Sequence, residues 1–314
     1  MKNTIMKGRR LLVGAVALAL GASACIPMPP NTFTPEQFAI GQGPNIVRAQ
    51  VFQGLGAWWD VWDWSPTFIG GTPGVGLGDI NQMAAEGVQT LYIQTASYRR
   101  ADDVLDPALL RQIIARARSK GIRVVGWYLP EHVDEALDNR RMEAAIRLGF
   151  DGFGIDIESS KNPDVGARSA MLIRQTKRLR QLFPNLPLAA IPVAPIVWEE
   201  LNHTWWPNFP YVELSKYFDA WMPQNYWTFR SESSGLKDAY VYNVRNIEML
   251  RRKTGVAWLP VHPIGGLAEA TSKEDIALMA KAIRDTHSIG GSLYDYKSTP
   301  KSLTDALGLF RIPK

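Results

Sequence analysis

Short apolar runs recur along the chain at a nearly constant interval. Eight of them have the length and the aromatic or β-branched content of buried strands: Phe52–Trp58, Val88–Gln94, Arg123–Trp127, Gly152–Ile157, Leu188–Pro192, Phe218–Met222, Gly255–Leu259 and Ser292–Tyr294. Their first residues are separated by 36, 35, 29, 36, 30, 37 and 37 positions, room for a strand, a loop, a helix and a second loop. The intervals carry helix-like stretches: Asp79 to Glu86 before Gly87, Asp106-Pro107 onward to Gly121, Asp134 to Leu148 before Gly149, Ser169 to Phe183 before Pro184, and Thr271-Ser272 through Ile283. Asp accepts free amide hydrogens of a first helical turn and Pro lacks one already, so Asp106-Pro107 reads as a helix start. Alternating strands and helices predict a parallel sheet covered by helices. Eight such units predict one (β/α)8 TIM barrel over residues 51–314. The glycine run Gly70 to Gly78 follows tryptophan-rich sequence rather than a strand-to-helix junction, which argues for a loop and against a dinucleotide cradle.

The first 25 residues have a different pattern. Lys2, Lys7, Arg9 and Arg10 precede an uncharged apolar stretch, Leu11 to Ala22, which ends in Gly21-Ala-Ser-Ala-Cys25. That is the form of a signal peptide. It falls short of the roughly 20 apolar residues of a spanning helix, and Pro27, Pro29 and Pro30 follow it. Cys25, the single cysteine of 314 residues, stands where a lipid-modified cysteine would follow cleavage. The segment resembles a bacterial lipobox, with Ala22 where leucine is usual; cleavage after Ala24 is the alternative. The expected product is exported, either lipid-anchored through Cys25 at the extracytoplasmic membrane face or secreted, with residues 26–50 as a tether. Removing four basic residues takes the net charge from +5 to +1, which argues against a nucleic-acid partner. With no second cysteine, internal disulfides are excluded and stability must come from core burial.

Candidate chemistry concentrates where barrel enzymes place it, at the carboxyl ends of strands. In Phe150-Asp-Gly-Phe-Gly-Ile-Asp-Ile-Glu158, strand alternation puts Gly154, Asp156 and Glu158 on one face. Two carboxylates at this spacing suit glycosidic chemistry, because repulsion and partial burial leave one protonated at neutral pH beside a charged neighbour. Glu158 is the expected general acid and Asp156 its electrostatic partner. A conventional mechanism needs a second carboxylate across the sugar ring. The run Val256 to Pro263, where the seventh strand is expected, has none, so Asp60, Asp63 or Asp295 must supply it; Asp295 is favoured.

Aromatic and amide residues extend the carbohydrate reading. Trp62, Trp127, Tyr128 and Trp227 offer apolar faces for sugar rings, while Asp60, Tyr92, Gln94, Gln224 and His262 offer polar contacts. Trp58 and Trp59 must face opposite sides of their strand. The four histidines are dispersed, there is no G-x-S-x-G elbow, and Cys25 belongs to the leader. Neither a metal nor another cofactor is therefore expected, and serine or cysteine hydrolysis has no support.

Asp151-Gly-Phe-Gly-Ile-Asp156-Ile-Glu158 resembles the fourth-strand D-G-x-D-x-D-x-E signature of the chitinase-like family of glycoside hydrolases. The resemblance implies that Glu158 protonates the leaving oxygen, that Asp156 orients an acetamido group of the substrate, and that Tyr226, in Met222-Pro-Gln-Asn-Tyr226, assists. The motif's middle Asp is Gly154 here. More of the chain, from Gly54-Leu-Gly-Ala-Trp58 to Ser292-Leu-Tyr-Asp-Tyr296, is similar to a group of actinobacterial exported barrel proteins related to glycoside hydrolases. Two expectations follow: an exported glycosidase acting on a polysaccharide or glycoconjugate, or a noncatalytic carbohydrate-binding surface protein on the same scaffold.

Overall fold

A computed structural model describes residues 43–312; the leader, Cys25 and the tether up to residue 42 lie outside the described residues. Eight parallel strands alternate with helices: β1 Gly54–Trp59, β2 Thr90–Gln94, β3 Arg123–Tyr128, β4 Gly152–Ile157, β5 Leu188–Pro192, β6 Ala220–Trp221, β7 Ile264–Leu267 and β8 Gly290–Tyr294. They hydrogen-bond in the order β6-β5-β4-β3-β2-β1-β8-β7. Single bridges, Trp221 to Val261 and Gln224 to Ile264, join the two ends of this order. The result is the expected barrel, with β4 and β5 matching their predicted spans residue for residue.

The helical layer comprises α1 Ile46–Ala49, α2 Val61–Trp64, α3 Pro66–Ile69, α4 Leu77–Ala85, α5 Pro107–Ser119, α6 Glu135–Ile146, α7 Val165–Leu182, α8 Tyr211–Leu214, α9 Ala239–Thr254, α10 Lys273–Asp285 and α11 Thr304–Leu307. Asp134, Asp164, Asp238 and Ser272 accept hydrogen bonds from the first turns of α6, α7, α9 and α10, which fixes where each helix begins. Asp106 departs from expectation. It precedes Pro107 as predicted, but its side chain makes no cap; it accepts from Ser65 Oγ and Thr67 Oγ1 at 2.5 Å and so ties down the segment after β1.

The largest departure is the seventh strand. Gly255, at φ +72°, terminates α9, and Val256–Leu259 forms a turn closed by Leu259 N–H on the Val256 carbonyl. Pro260 and Pro263 lack amide hydrogens, so regular pairing begins only at Ile264. The apolar run had the composition of a strand, but its flanking breakers displaced the strand toward the carboxyl end. As expected of the seventh strand, β7 carries no carboxylate: it is Ile264-Gly-Gly-Leu267, and Glu269 is exposed in the turn beyond.

Strand alternation divides the apolar residues into two cores. Phe52, Trp58, Tyr92, Val125, Trp127, Ala189, Ile191, Met222 and Ile264 fill the barrel interior. Leu55, Trp59, Leu91, Ile93, Phe153, Ile155 and Ile157 join the helices in the outer core. Trp58 and Trp59 thus separate as expected.

The end of the segment read as tether is folded onto the amino-terminal end of the barrel. Asp219, 1 % exposed, accepts from Asn45 N–H, Arg48 Nε, Arg180 Nη2 and Leu188 N–H at 2.8–3.2 Å. It binds α1, α7, β5 and β6 through one carboxylate. Removing it leaves two guanidinium groups without that partner, so Asp219→Ala is expected to lower unfolding free energy by about 3–5 kcal/mol, measured by urea denaturation.

Candidate active site at the carboxyl end of the strands

Asp156 lies on the inward face of β4, and Glu158 follows just past the strand's end. Asp156 is buried and Glu158 half-buried. Gln224, on the segment after β6, donates from Nε2 to Asp156 Oδ1 at 2.9 Å, and its amide also hydrogen-bonds Glu158. Burial, then the neighbouring charge of Glu158, pushes the Asp156 carboxyl well above the ordinary range; burial raises Glu158 too, and the Gln224 amide opposes both shifts. Loss of water and mutual repulsion thus favour a proton on this pair over two adjacent charges.

Gly154, at the place of the middle Asp of the chitinase-like motif, is closely packed. A Cβ at this position would lie 2.6 Å from Ile191 Cδ1 and 3.5 Å from Trp127 Cβ. Ile191, paired in register with Asp156 on the neighbouring strand, occupies the space a longer side chain would need.

A second acidic group forms where β1 and β8 adjoin. Asp60 caps α2 through Trp62 N–H at 2.8 Å and accepts from Tyr294 Oη at 3.0 Å. Asp63 accepts from Asp60 N–H at 3.1 Å, and Asp295 from Ser298 N–H at 2.8 Å. One carboxylate oxygen from each of Asp60, Asp63 and Asp295 lies within 4.8 Å of the others, a spacing that could hold a cation. Lys297 Nζ, 3.4 Å from Asp63, supplies positive charge there. Burial, followed by the charges of Asp60 and Asp295, pushes the Asp63 carboxyl up to about 7; the Asp60 amide and Lys297 pull the other way.

Two tyrosines stand between the acidic groups. Tyr226 is raised well above its ordinary value by burial, then by the charges of Glu158, Asp156 and Asp295. Tyr294, its ring centroid 6.2 Å away, is raised by burial and then by Asp60, Tyr226, Asp295 and Asp63. Tyr226 was identified from the motif; Tyr294 was not, although its inward position on β8 was open to the same alternation argument as Asp156.

Several residues expected to contact sugar lie elsewhere. Tyr92 is fully buried, stacked on Trp58 at 4.4 Å with its hydroxyl directed to the Phe52 carbonyl at the amino-terminal end. His262 is also fully buried. It accepts from Ser292 Oγ at Nε2 (3.0 Å) and donates from Nδ1 to the Phe52 carbonyl (2.7 Å), while Ser292 Oγ accepts from Trp58 Nε1 (2.8 Å). These roles are those of the neutral imidazole, which burial favours by lowering the His262 pKa to about 3. Tyr128 faces the helices, bonded to Asp138 and Arg141; Trp227 is buried against Gly265 and Gly266. In each case alternation or a packing partner across the barrel turned the residue from the mouth.

The others are at or just below the mouth. Gln94 accepts from Val61 N–H at 3.1 Å and its carbonyl from Trp64 Nε1, so it supports the loop bearing Asp60 and Asp63. Trp127 packs edge-on to Trp58 at 5.9 Å and is nearly buried. Trp62 is 37 % exposed at the rim, with the Arg99 guanidinium 5.6 Å from its ring centroid.

The Asp63 carboxyl makes stability depend on pH. Its folded pKa exceeds the unfolded value, so the folded state binds the extra proton and this contribution is lost as pH rises from about 4 to about 7. Thermal melts of the parent should therefore decline across that window. Asp63→Asn should flatten the decline and be relatively more stable at pH 8 than at pH 5.

No protein-family model matches the chain, and no curated protein sequence does. Solved structures do share its fold. A chitinase from Chromobacterium violaceum superposes with TM-score 0.55 at 10 % identity, covering 82 % of this chain and 98 % of that one. The spore cortex-lytic enzyme SleL from Bacillus megaterium gives 0.57 at 11 %, covering 95 % and 79 %. An endo-1,4-beta-D-mannanase from Thermotoga petrophila gives 0.56 at 10 %, covering 78 % and 88 %. At these identities the likeness establishes the fold, a TIM barrel of the kind found in glycoside hydrolases.

Proposed function

We propose that the protein is an exported glycosidase that cleaves a polysaccharide or glycoconjugate at the barrel mouth, with Glu158 as general acid. One observation carries this reading: buried Asp156, with Glu158 beside it, and the Asp60–Asp63–Asp295 group both stand at the carboxyl ends of the strands, and Tyr226 feels the charge of Glu158, Asp156 and Asp295 together. Glu158 is the member further along the strand and gives the proton to the departing glycosidic oxygen; Asp156, held by Gln224, resupplies it. Asp295 or Asp60 stabilises the positive charge that develops at the anomeric carbon. Trp62 at the rim provides a ring face for sugar. This chemistry requires no cofactor. Export follows from the leader, and a lipid on Cys25 would hold the barrel at the extracytoplasmic membrane face.

Substrate-assisted cleavage of N-acetyl sugars is the weaker variant, because Ile191 fills the place of the motif's middle carboxylate. The same observation favours the second reading, a carbohydrate-binding surface protein without catalysis.

Product release from a panel of cell-wall and extracellular polysaccharides tests the proposal. Glu158→Gln is expected to reduce turnover at least about 100-fold. Equal cleavage by parent and variant would remove Glu158 from the acid role, and glycan retention without cleavage by either would support the binding reading. Independently, Gly154→Ala should destabilise by about 1–3 kcal/mol through overpacking, with Ile191→Val restoring much of the loss in a denaturation cycle.

A further inference from the structure

We infer that Arg168 and Trp205 are positioning residues that clamp the peptide bearing Glu158 and so hold its carboxyl beside Asp156. The inference rests on Glu158 being the proton donor, as proposed above, but the clamp itself is read from bonds on the outer side of the barrel mouth.

Three elements meet at the end of β4. Trp205, on the long segment between β5 and α8, donates from Nε1 to the Glu158 carbonyl at 3.0 Å. Arg168, on the first turn of α7, donates from Nη1 to the Ser159 carbonyl at 3.0 Å and from Nη2 to the Trp205 carbonyl at 2.6 Å. The two consecutive carbonyls at the strand's end are thereby bound to the helix and to the loop, and the helix is bound to the loop. Arg168 is 2 % exposed, and its guanidinium lies 4.5 Å from the buried Trp206 ring. Trp206 in turn donates from Nε1 to Ser169 Oγ at 2.9 Å.

The chemistry of the clamp argues for more than packing. A guanidinium remains charged at any pH of interest, and burying it is costly unless its donors are used. Here Nη1 and Nη2 serve backbone carbonyls just past the catalytic strand and on the loop over it, in a fork geometry that lysine does not reproduce. Glu158 is the last inward residue of its strand, beyond the β4 pairing that ends at Ile157. Past that pairing the sheet bonds the Ile157 carbonyl, through Val193 N–H at 3.4 Å, while the Glu158 and Ser159 carbonyls are bonded by Trp205 and Arg168. Without those two outer bonds the carboxyl would relax toward water and away from the Gln224 amide and Asp156.

Trp205→Phe keeps an aromatic ring and removes the N–H along with part of the indole's volume; Arg168→Lys keeps the charge and removes the fork. Each is compared with Trp206→Phe, which loosens the same aromatic cluster without a bond to Glu158. The direct readout is the Glu158 carboxyl titration, followed by 13C NMR on full-length protein carrying 13C-labelled glutamate and identified by its loss in Glu158→Gln. Trp205→Phe and Arg168→Lys are expected to lower the Glu158 midpoint by at least about 0.5 pH unit toward the free carboxylate value. Trp206→Phe should lower melting temperature and leave that midpoint in place. On any cleaved substrate, the two clamp variants should lose about tenfold or more in kcat with KM little changed, and the alkaline limb of the kcat profile should move to lower pH. An unchanged Glu158 titration in folded Trp205→Phe would overturn the clamp, and that variant suffices if Arg168→Lys fails to fold. If Glu158→Gln cleaves as well as the parent, the general-acid reading fails, while the NMR titration still decides whether the clamp positions the carboxyl.

Discussion

The interior of an eight-stranded barrel has room for only a few layers of side chains, and every strand must contribute to filling them. In this protein the filling is heavily aromatic. Trp58 stacks on Tyr92, Trp127 meets Trp58 edge-on, and Phe52 closes the amino-terminal end. The Trp58 indole nitrogen is joined in a chain through Ser292 and His262 to the Phe52 carbonyl, which the Tyr92 hydroxyl also reaches. A ring filled in this way confines charge to its two ends: the Arg123 guanidinium bonds the Gln50 and Gln53 carbonyls at the amino-terminal end, and carboxylates stand at the other. Asp156, Glu158, Asp60, Asp63 and Asp295 collect there because every layer below is occupied.

That placement sets the electrostatics of the mouth. Carboxylates at a partly closed rim lose water without gaining enough cations, so Asp156, Glu158 and Asp63 are all pushed toward their protonated forms. Gln224 and Lys297 limit the shift on each side. Tyr226 and Tyr294 lie between the two groups and respond to both. The chitinase, SleL and mannanase structures share the fold that places these groups at its carboxyl end.

Support from outside the barrel matters as much as its filling. The Asp219 carboxylate gathers α1, α7, β5 and β6 at the amino-terminal end, and Arg168 with Trp205 gathers β4, α7 and the following loop at the other. Both depend on α7, whose start is fixed by the Asp164 cap. Gln94 similarly connects β2 to the loop bearing Asp60 and Asp63. These bonds run between segments far apart in sequence and impose the geometry that the mouth requires.

The barrel was legible in the sequence because its signals are local: apolar runs at regular intervals, helix caps, and alternation that separated Trp58 from Trp59 and aligned Gly154, Asp156 and Glu158. The eighth-strand carboxylate was legible for a related reason, since β1 and β8 must adjoin once eight units close. Where local composition and chain breakers disagreed, as between Gly255 and Pro263, the strand was misplaced. Only tertiary structure decided which candidate side chains reach the mouth. Tyr92 and His262 lie in lower layers of the filled interior, Tyr128 turns outward to Asp138, and Ile191 excludes a carboxylate at Gly154, each through a partner on another strand or helix. Periodicity specifies which face of a strand a residue occupies; its depth and its neighbours come from packing between strands, which no single segment encodes.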